Sequence, residues 1–272
     1  MAIRTRAGVL RRLATGAVVL ALPVLALVPT TQASAAAPPS FTKIQGAARN
    51  AAGLQPTVDA YRALLGEPDN LSAPGSQPAG RREINWDGVP DQISAPALMP
   101  PDLFNTVVTR GAVFSTSAGN RFQVSADSAN PTNTPVRYGN INPQYPEIFN
   151  TFSPEKLFTP LDTTTTRVRF FVPGTTTPAS VNGFGAVFTD VDSPTSTKIE
   201  LYDRSGTRLW WNYVPRGTAA SKSLSFLGVK TDAKIYEVRI TSGNTQLRAG
   251  NRDGGAKDVV VMDDLLYGEP RP

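Results

Sequence analysis

The 272-residue chain has no cysteine and no histidine. Without cysteine there is no disulfide, no iron–sulfur ligand and no thiol nucleophile. Without histidine, Ser-His-Asp and Cys-His catalysis and the usual zinc sites are excluded. Acid–base chemistry would fall to carboxylates, lysine or tyrosine. Any metal would be a hard, oxygen-bound ion such as calcium or magnesium. Long apolar runs are scarce too: the stretch from Leu13 to Val28 is roughly 15 residues, short of the about 20 that a membrane span needs. Stability must therefore come from a large packed core rather than from cross-links or a bilayer.

The apolar run instead fits an export signal. Arg4, Arg6, Arg11 and Arg12 precede it, and Ala33-Ser34-Ala35 supplies a small-residue cleavage site, so residues 1–35 are expected to be a signal peptide. This changes the charge balance. The chain carries 27 basic and 22 acidic residues, and removing those four arginines leaves +1. No basic surplus remains to suggest a nucleic-acid partner. The expected location is secreted and extracellular, with no membrane span after signal removal.

Residues 36–80 read as a lead-in. Pro56 at a first turn, apolar Val58, Tyr61, Leu64 and Leu65, and the terminator Gly66 predict one short helix over 56–65. A Pro/Gly/Ser linker, "EPDNLSAPGSQPAG", follows. From residue 81 to 270 the chain reads as strands and turns: "GAVFST" and "RFQVSA" as a hairpin, then "TRVRFFVP", "FGAVFTDVD", "TKIELYD", "TRLWWNYV", "KSLSFLGV", "KIYEVRIT" and "DVVVMDDLLYG". About ten short strands and no internal repeat predict an all-β antiparallel sandwich of the jelly-roll type.

"SLSFLGVKTDAKIYEVRITSGN" followed by "DVVVMDDLLYGEP" resembles secreted bacterial β-sandwich modules with a closing x-D-D-x-x-Y strand. Their architecture is similar to galactose-binding and carbohydrate-binding-module jelly rolls. "GRREINWDGVPD", "PVRYGNINP", "FFVPGTTTPA" and "GFGAVFTDVD" further resemble a group of bacterial proteins that brings no established activity with it. The jelly-roll resemblance implies a structural calcium joining an early strand to the last one. Glu83, Asn85 and Asp87 would supply one half of that site, and Asp263 and Asp264 the other.

The residues allow other readings of these groups. An EF-hand fails because its twelfth position is Ser94 and Pro90 interrupts the loop. As a strand, 82–87 places Glu83, Asn85 and Asp87 opposite Ile84 and Trp86. The last strand is apolar on both faces, so Asp263 and Asp264 must meet a cation, an arginine or a backbone network. Asp190 and Asp192 are candidates for calcium ligands, a glycosidase acid pair or simple turn residues. Trp86, Trp210 and Tyr213 are the rings proposed to stack on a sugar. The alternation puts Leu209, Trp211 and Tyr213 on the core side and leaves Trp210 outside. The leading expectation is a non-catalytic module binding a glycan or cell-envelope ligand with a structural calcium. A carboxylate-dependent glycoside hydrolase or polysaccharide lyase, or a structural or adhesive protein, are the alternatives.

Overall fold

In the computed structural model the described residues are 1–3, 8, 16 and 37–272. Contacts divide the chain into Met1–Pro38 and Pro39–Pro272, and the second unit carries the fold. The expected signal peptide falls almost wholly outside the described residues.

Among the described residues, twelve strands form two antiparallel sheets. They are β1 (Phe41–Ala48), β2 (Arg81–Ile84), β3 (Ala112–Ser115), β4 (Phe122–Val124), β5 (Phe158–Pro160), β6 (Thr165–Phe170), β7 (Val181–Thr189), β8 (Lys198–Tyr202), β9 (Arg208–Tyr213), β10 (Leu224–Ile235), β11 (Glu237–Thr241) and β12 (Val261–Gly268). Sheet A has the order β1-β10-β7-β12-β5-β4, with β2 also pairing to β12; sheet B has the order β3-β6-β11-β8-β9. The main core lies between them. It joins Phe114, Val168, Phe170, Ile199, Leu201, Val238 and Ile240 of sheet B to Phe184, Phe188, Leu227, Val229, Met262 and Leu265 of sheet A. The protein is a β-sandwich.

A helix makes a third layer. α1 (Ala51–Leu65) lays Leu54, Val58, Tyr61 and Leu65 on Val187, Phe226 and Leu266 of sheet A's outer face. Burying each of these apolar side chains contributes roughly 1.5–3 kcal/mol. Tyr61 rests on a glycine patch: Gly185 and Gly228 pair across β7 and β10, and a Cβ on either would come within 2.7 Å of its ring. Its hydroxyl donates to the Val229 carbonyl at 2.9 Å. Covered on both faces, β7, β10 and β12 are apolar almost throughout, as central strands must be.

Three expectations are corrected here. The helix starts at Ala51 rather than Pro56, because the Asn50 side chain caps it, accepting from the Gly53 amide at 2.9 Å. Residues 41–48 are not a loose lead-in but an edge strand that pairs with β10 in eight register positions. The expected hairpin of "GAVFST" and "RFQVSA" does not form. β3 pairs with β6 in sheet B, β4 pairs with β5 in sheet A, and the chain between them crosses from one sheet to the other.

The linker over residues 67–80 is irregular in shape yet firmly held. Arg82, wholly buried, forms a two-pronged ion pair with Glu269 at 2.8 and 2.7 Å. Its remaining N–H groups donate to the carbonyls of Leu71, Ala73, Gly75 and Thr109 at 2.7–3.1 Å. One guanidinium thus replaces the regular hydrogen bonding that this proline-rich stretch cannot form by itself.

Candidate functional site

Strand β2 runs antiparallel to β12, with Glu83 opposite Leu266 and Ile84 opposite Leu265. This brings the polar side of "REINWDGVPD" towards Asp263 and Asp264. The register of β12 against β7 shifts between Met262 and Leu265. In a regular strand consecutive side chains point to opposite faces. At this irregularity both aspartates instead reach one group, the Ser153 hydroxyl, at 3.1 Å from Asp263 Oδ1 and 2.7 Å from Asp264 Oδ1. Asp263 Oδ2 also accepts from the Phe152 amide at 2.6 Å.

The two carboxyls are buried side by side and cannot both be charged at low cost. Burial, then the charge of Asp264, pushes Asp263 well above the ordinary carboxylate range. Burial raises Asp264 as well, against hydrogen bonds from Asp263 and Ser153 that favour its charged form. Burial thus favours the protonated form of Asp263, whereas Arg62, 3.8 Å from Asp264, favours the charged form of that carboxyl.

Arginines compensate the adjacent strand. Arg62 of α1 grips Glu83 through Nε at 2.9 Å and Nη2 at 2.7 Å, and Arg81 adds a contact at 2.7 Å. Burial would raise Glu83, but these bonds outweigh it and hold its carboxyl below the ordinary value. Asp87 accepts from the Lys156 amide at 3.0 Å, and Asn85 is exposed, with its carbonyl 3.4 Å from the Ser153 hydroxyl. The Lys156 ammonium, itself buried, donates to Val89 O at 2.7 Å and to Asp91 at 3.0 Å. All five residues expected to share a cation thus border one network, whose positive charges are guanidinium and ammonium groups. Its hub, Ser153, carried no signal in the sequence. Among the described residues no three acidic side chains stand ready to hold a metal ion.

The aromatic expectations change. Trp86, expected as a ligand-stacking ring, is 1% exposed and lies in the core. It stacks on Phe158 at 4.1 Å and 4°, and its indole N–H donates to the Asp263 carbonyl at 2.6 Å. Trp210 and Trp211 exchange their expected sides. Leu201 pairs with Trp210 and Tyr202 with Arg208, so Leu209 is an extra residue in β9. That bulge reverses the alternation: Leu209 and Trp210 both pack against the core, whereas Trp211 is 43% exposed. Tyr213, also expected on the core side, lies on the outer side with Trp211, its ring 5.2 Å away and edge-on.

Register then defines the whole outer face of sheet B. One row reads Ser115, Arg167, Arg239, Glu200, Trp211; the next reads Val113, Arg169, Glu237, Tyr202, Arg208. Lys198 and Tyr213 pair beside them. Glu200 binds Lys198 and Arg208, and Glu237 binds Arg169 and Arg239. Arg167 has no ion-pair partner among the described residues. Arg239 lies over the Tyr202 ring at 4.0 Å, and Arg208 lies 5.7 Å from Trp211. At one end the face opens into a groove of about 480 Å³ lined by Arg169, Tyr202, Arg204, Tyr236, Glu237 and Arg239. No protein-family model, curated protein or solved structure matches the chain.

Proposed function

We propose that the protein is a secreted, non-catalytic β-sandwich that binds a glycan of the cell envelope or its surroundings on the outer face of sheet B. The observation that carries this reading is the exposed Trp211 beside Tyr213, set in a row of arginines that ends in an open groove. A flat ring covers the apolar side of a sugar, and guanidinium groups pair with carboxylate or phosphate in a two-pronged geometry. The face presents Arg167, Arg169, Lys198, Arg208 and Arg239 against only Glu200 and Glu237. An acidic glycan suits that surplus better than a neutral one.

The hydrolase or lyase alternative draws on the Asp263–Asp264 pair. That pair is walled off from solvent, and a glycosidase needs its carboxyls on either side of a sugar-sized cleft. The groove on sheet B is lined by two carboxylates: Glu237, already neutralised by two arginines, and Asp203, whose Oδ1 caps its own turn by accepting from Ser205 and Thr207.

The test is retention on immobilised acidic and neutral polysaccharides and on cell-wall fractions. Trp211→Ala should lose retention without loss of thermal stability, and Arg167→Ala should weaken binding to the acidic polymers alone. Equal retention of the wild type and Trp211→Ala would refute the assignment of this face.

A further inference from the structure

A second group of carboxylates lies at the far end of β7, away from the outer face of sheet B. Asp190 follows the last residue of β7 with φ +70°, a left-handed conformation that aspartate tolerates better than most residues. Its side chain is fully buried, and neither carboxyl oxygen has a hydrogen-bond partner among the described residues. The nearby Lys222 amide instead donates to the Ile148 carbonyl at 2.7 Å. Asp192 likewise has a buried, unpartnered oxygen, Oδ1. A fully buried carboxyl with two unpartnered oxygens, beside a half-buried one with a third, is costly unless something absent from the chain itself completes them.

The surroundings are acidic. Asp190 faces Asp253, Asp192 and Asp258; burial first, and then those three charges, push its carboxyl up to about 9. Asp192 is pushed up to about 6 by burial and by Asp253 and Asp258, with Arg216 as its opposing charge. Asp258 is occupied as a turn cap, accepting from the amides of Asp192 and Ser193 at 3.1 Å and from the Ser196 hydroxyl. Asp253 Oδ1 accepts from the Val259 amide at 2.8 Å, which fixes the side chain next to Asp258. A hollow of about 340 Å³ lies at this corner, lined by Asp192, Asn244, Gly254 and Asp258 together with the cationic Arg216 and Lys257; Asp190 and Asp253 lie behind its wall.

We propose that Asp190, Asp192 and Asp253 are the carboxylate ligands of a calcium ion that ties the end of β7 to the 253–258 turn. All available donors are oxygens. Calcium accepts six to eight of them in a flexible shell, so main-chain carbonyls and water can complete the set, whereas magnesium demands a near-octahedral cage. In this structure the three carboxylates are not gathered close enough to hold a metal, so binding requires them to converge. Gly254 and Gly255, with φ of +106° and +65°, leave the turn free to close as the ion draws Asp253 inward. Asp258 holds the 192–196 turn in place from behind. This site uses none of the residues of the β2–β12 network, and it does not depend on the glycan reading.

The experiment is calcium titration of the chelator-treated protein, by calorimetry and by thermal melting, with magnesium as the comparison ion. One calcium per chain and a rise in Tm with calcium are expected. Asp190→Asn, close in shape and uncharged, should fold and bind on the order of a hundredfold more weakly, since ligand charge count tunes calcium affinity over decades. The more exposed Asp253→Asn provides a second variant should Asp190→Asn fail to fold. Glu83→Gln and Asp263→Asn should leave calcium binding unchanged. No binding at millimolar calcium, undiminished binding in both Asp190→Asn and Asp253→Asn, or loss of binding in Asp263→Asn would each overturn the assignment.

Discussion

Asp263→Asn tests the shared proton directly. If Asp263 is the protonated member of the pair, asparagine copies its shape and its hydrogen bonding. The amide oxygen can accept from the Phe152 amide, as Asp263 Oδ2 does, and the amide Nδ2 can donate to the neighbouring Asp264 carboxylate. The sign of the pH effect follows. A carboxyl raised in the folded state binds more protons than in the unfolded chain, whose aspartates titrate near 3.9. Its stabilising contribution is complete below that value and is lost as pH rises towards the folded-state value. Across that window one such proton changes stability by about 1.4 kcal/mol per pH unit. Wild-type stability should therefore fall through this carboxyl as pH rises from 5 to 7, and Asp263→Asn should lack that fall. Urea unfolding at pH 5, 6 and 7, with saturating calcium to keep the Asp190 corner constant, measures the difference in slope. A variant whose stability falls with pH as steeply as the wild type would refute the shared proton. So would a uniform loss at every pH, because that is the signature of a charged Asp263.

Two further substitutions test the packing. Arg82→Leu should destabilise by about 3–5 kcal/mol, because it leaves Glu269 buried without a partner and strips several carbonyls of their donor. Proteolysis should then cut first within residues 67–80, and cleavage elsewhere at the same rate would show that the linker has other anchors. Gly228→Ala places a Cβ within 2.7 Å of the Tyr61 ring and 2.9 Å of Phe226, and should cost about 1–3 kcal/mol by thermal or urea unfolding. The same change in a Tyr61→Ala background should cost less, since the ring it strikes is gone. Equal cost in both backgrounds would mean that α1 does not set the tightness of sheet A.

The sandwich was legible because its central strands obey simple rules. β8 alternates Ile199 and Leu201 inward against Lys198, Glu200 and Tyr202 outward, and β12 is apolar on both faces because α1 covers sheet A. β1 escaped notice because "FTKIQGAA" is an edge strand, half exposed and rich in small residues, so no hydrophobic period marks it. The start of α1 was misplaced because Pro56 is a louder signal than Asn50, although the asparagine makes the cap. Pairing of β3 with β6 and of β4 with β5 depends on contacts distant in sequence, which local turn chemistry does not encode.

The functional residues were less legible because both candidate sites depend on strand irregularities. One extra residue at Leu209 moves Trp211 to the surface and Trp210 to the core, the reverse of what strict alternation gives. One register shift at Asp263–Asp264 turns two consecutive carboxyls towards a single serine. Period-2 reasoning fails at a bulge because an inserted residue reverses every later side chain relative to the pattern. What the composition did constrain is how buried charge can be neutralised. Without histidine or cysteine, the chain compensates Glu83 and Glu269 with arginine, and burial favours the protonated form of Asp263. Arginine could have served Asp190 in the same way, yet none pairs with it, and the nearby Lys222 amide donates to Ile148 instead. Its two empty oxygens are for that reason a stronger indication of a ligand than the acidic β2–β12 motif that looked more like a calcium site.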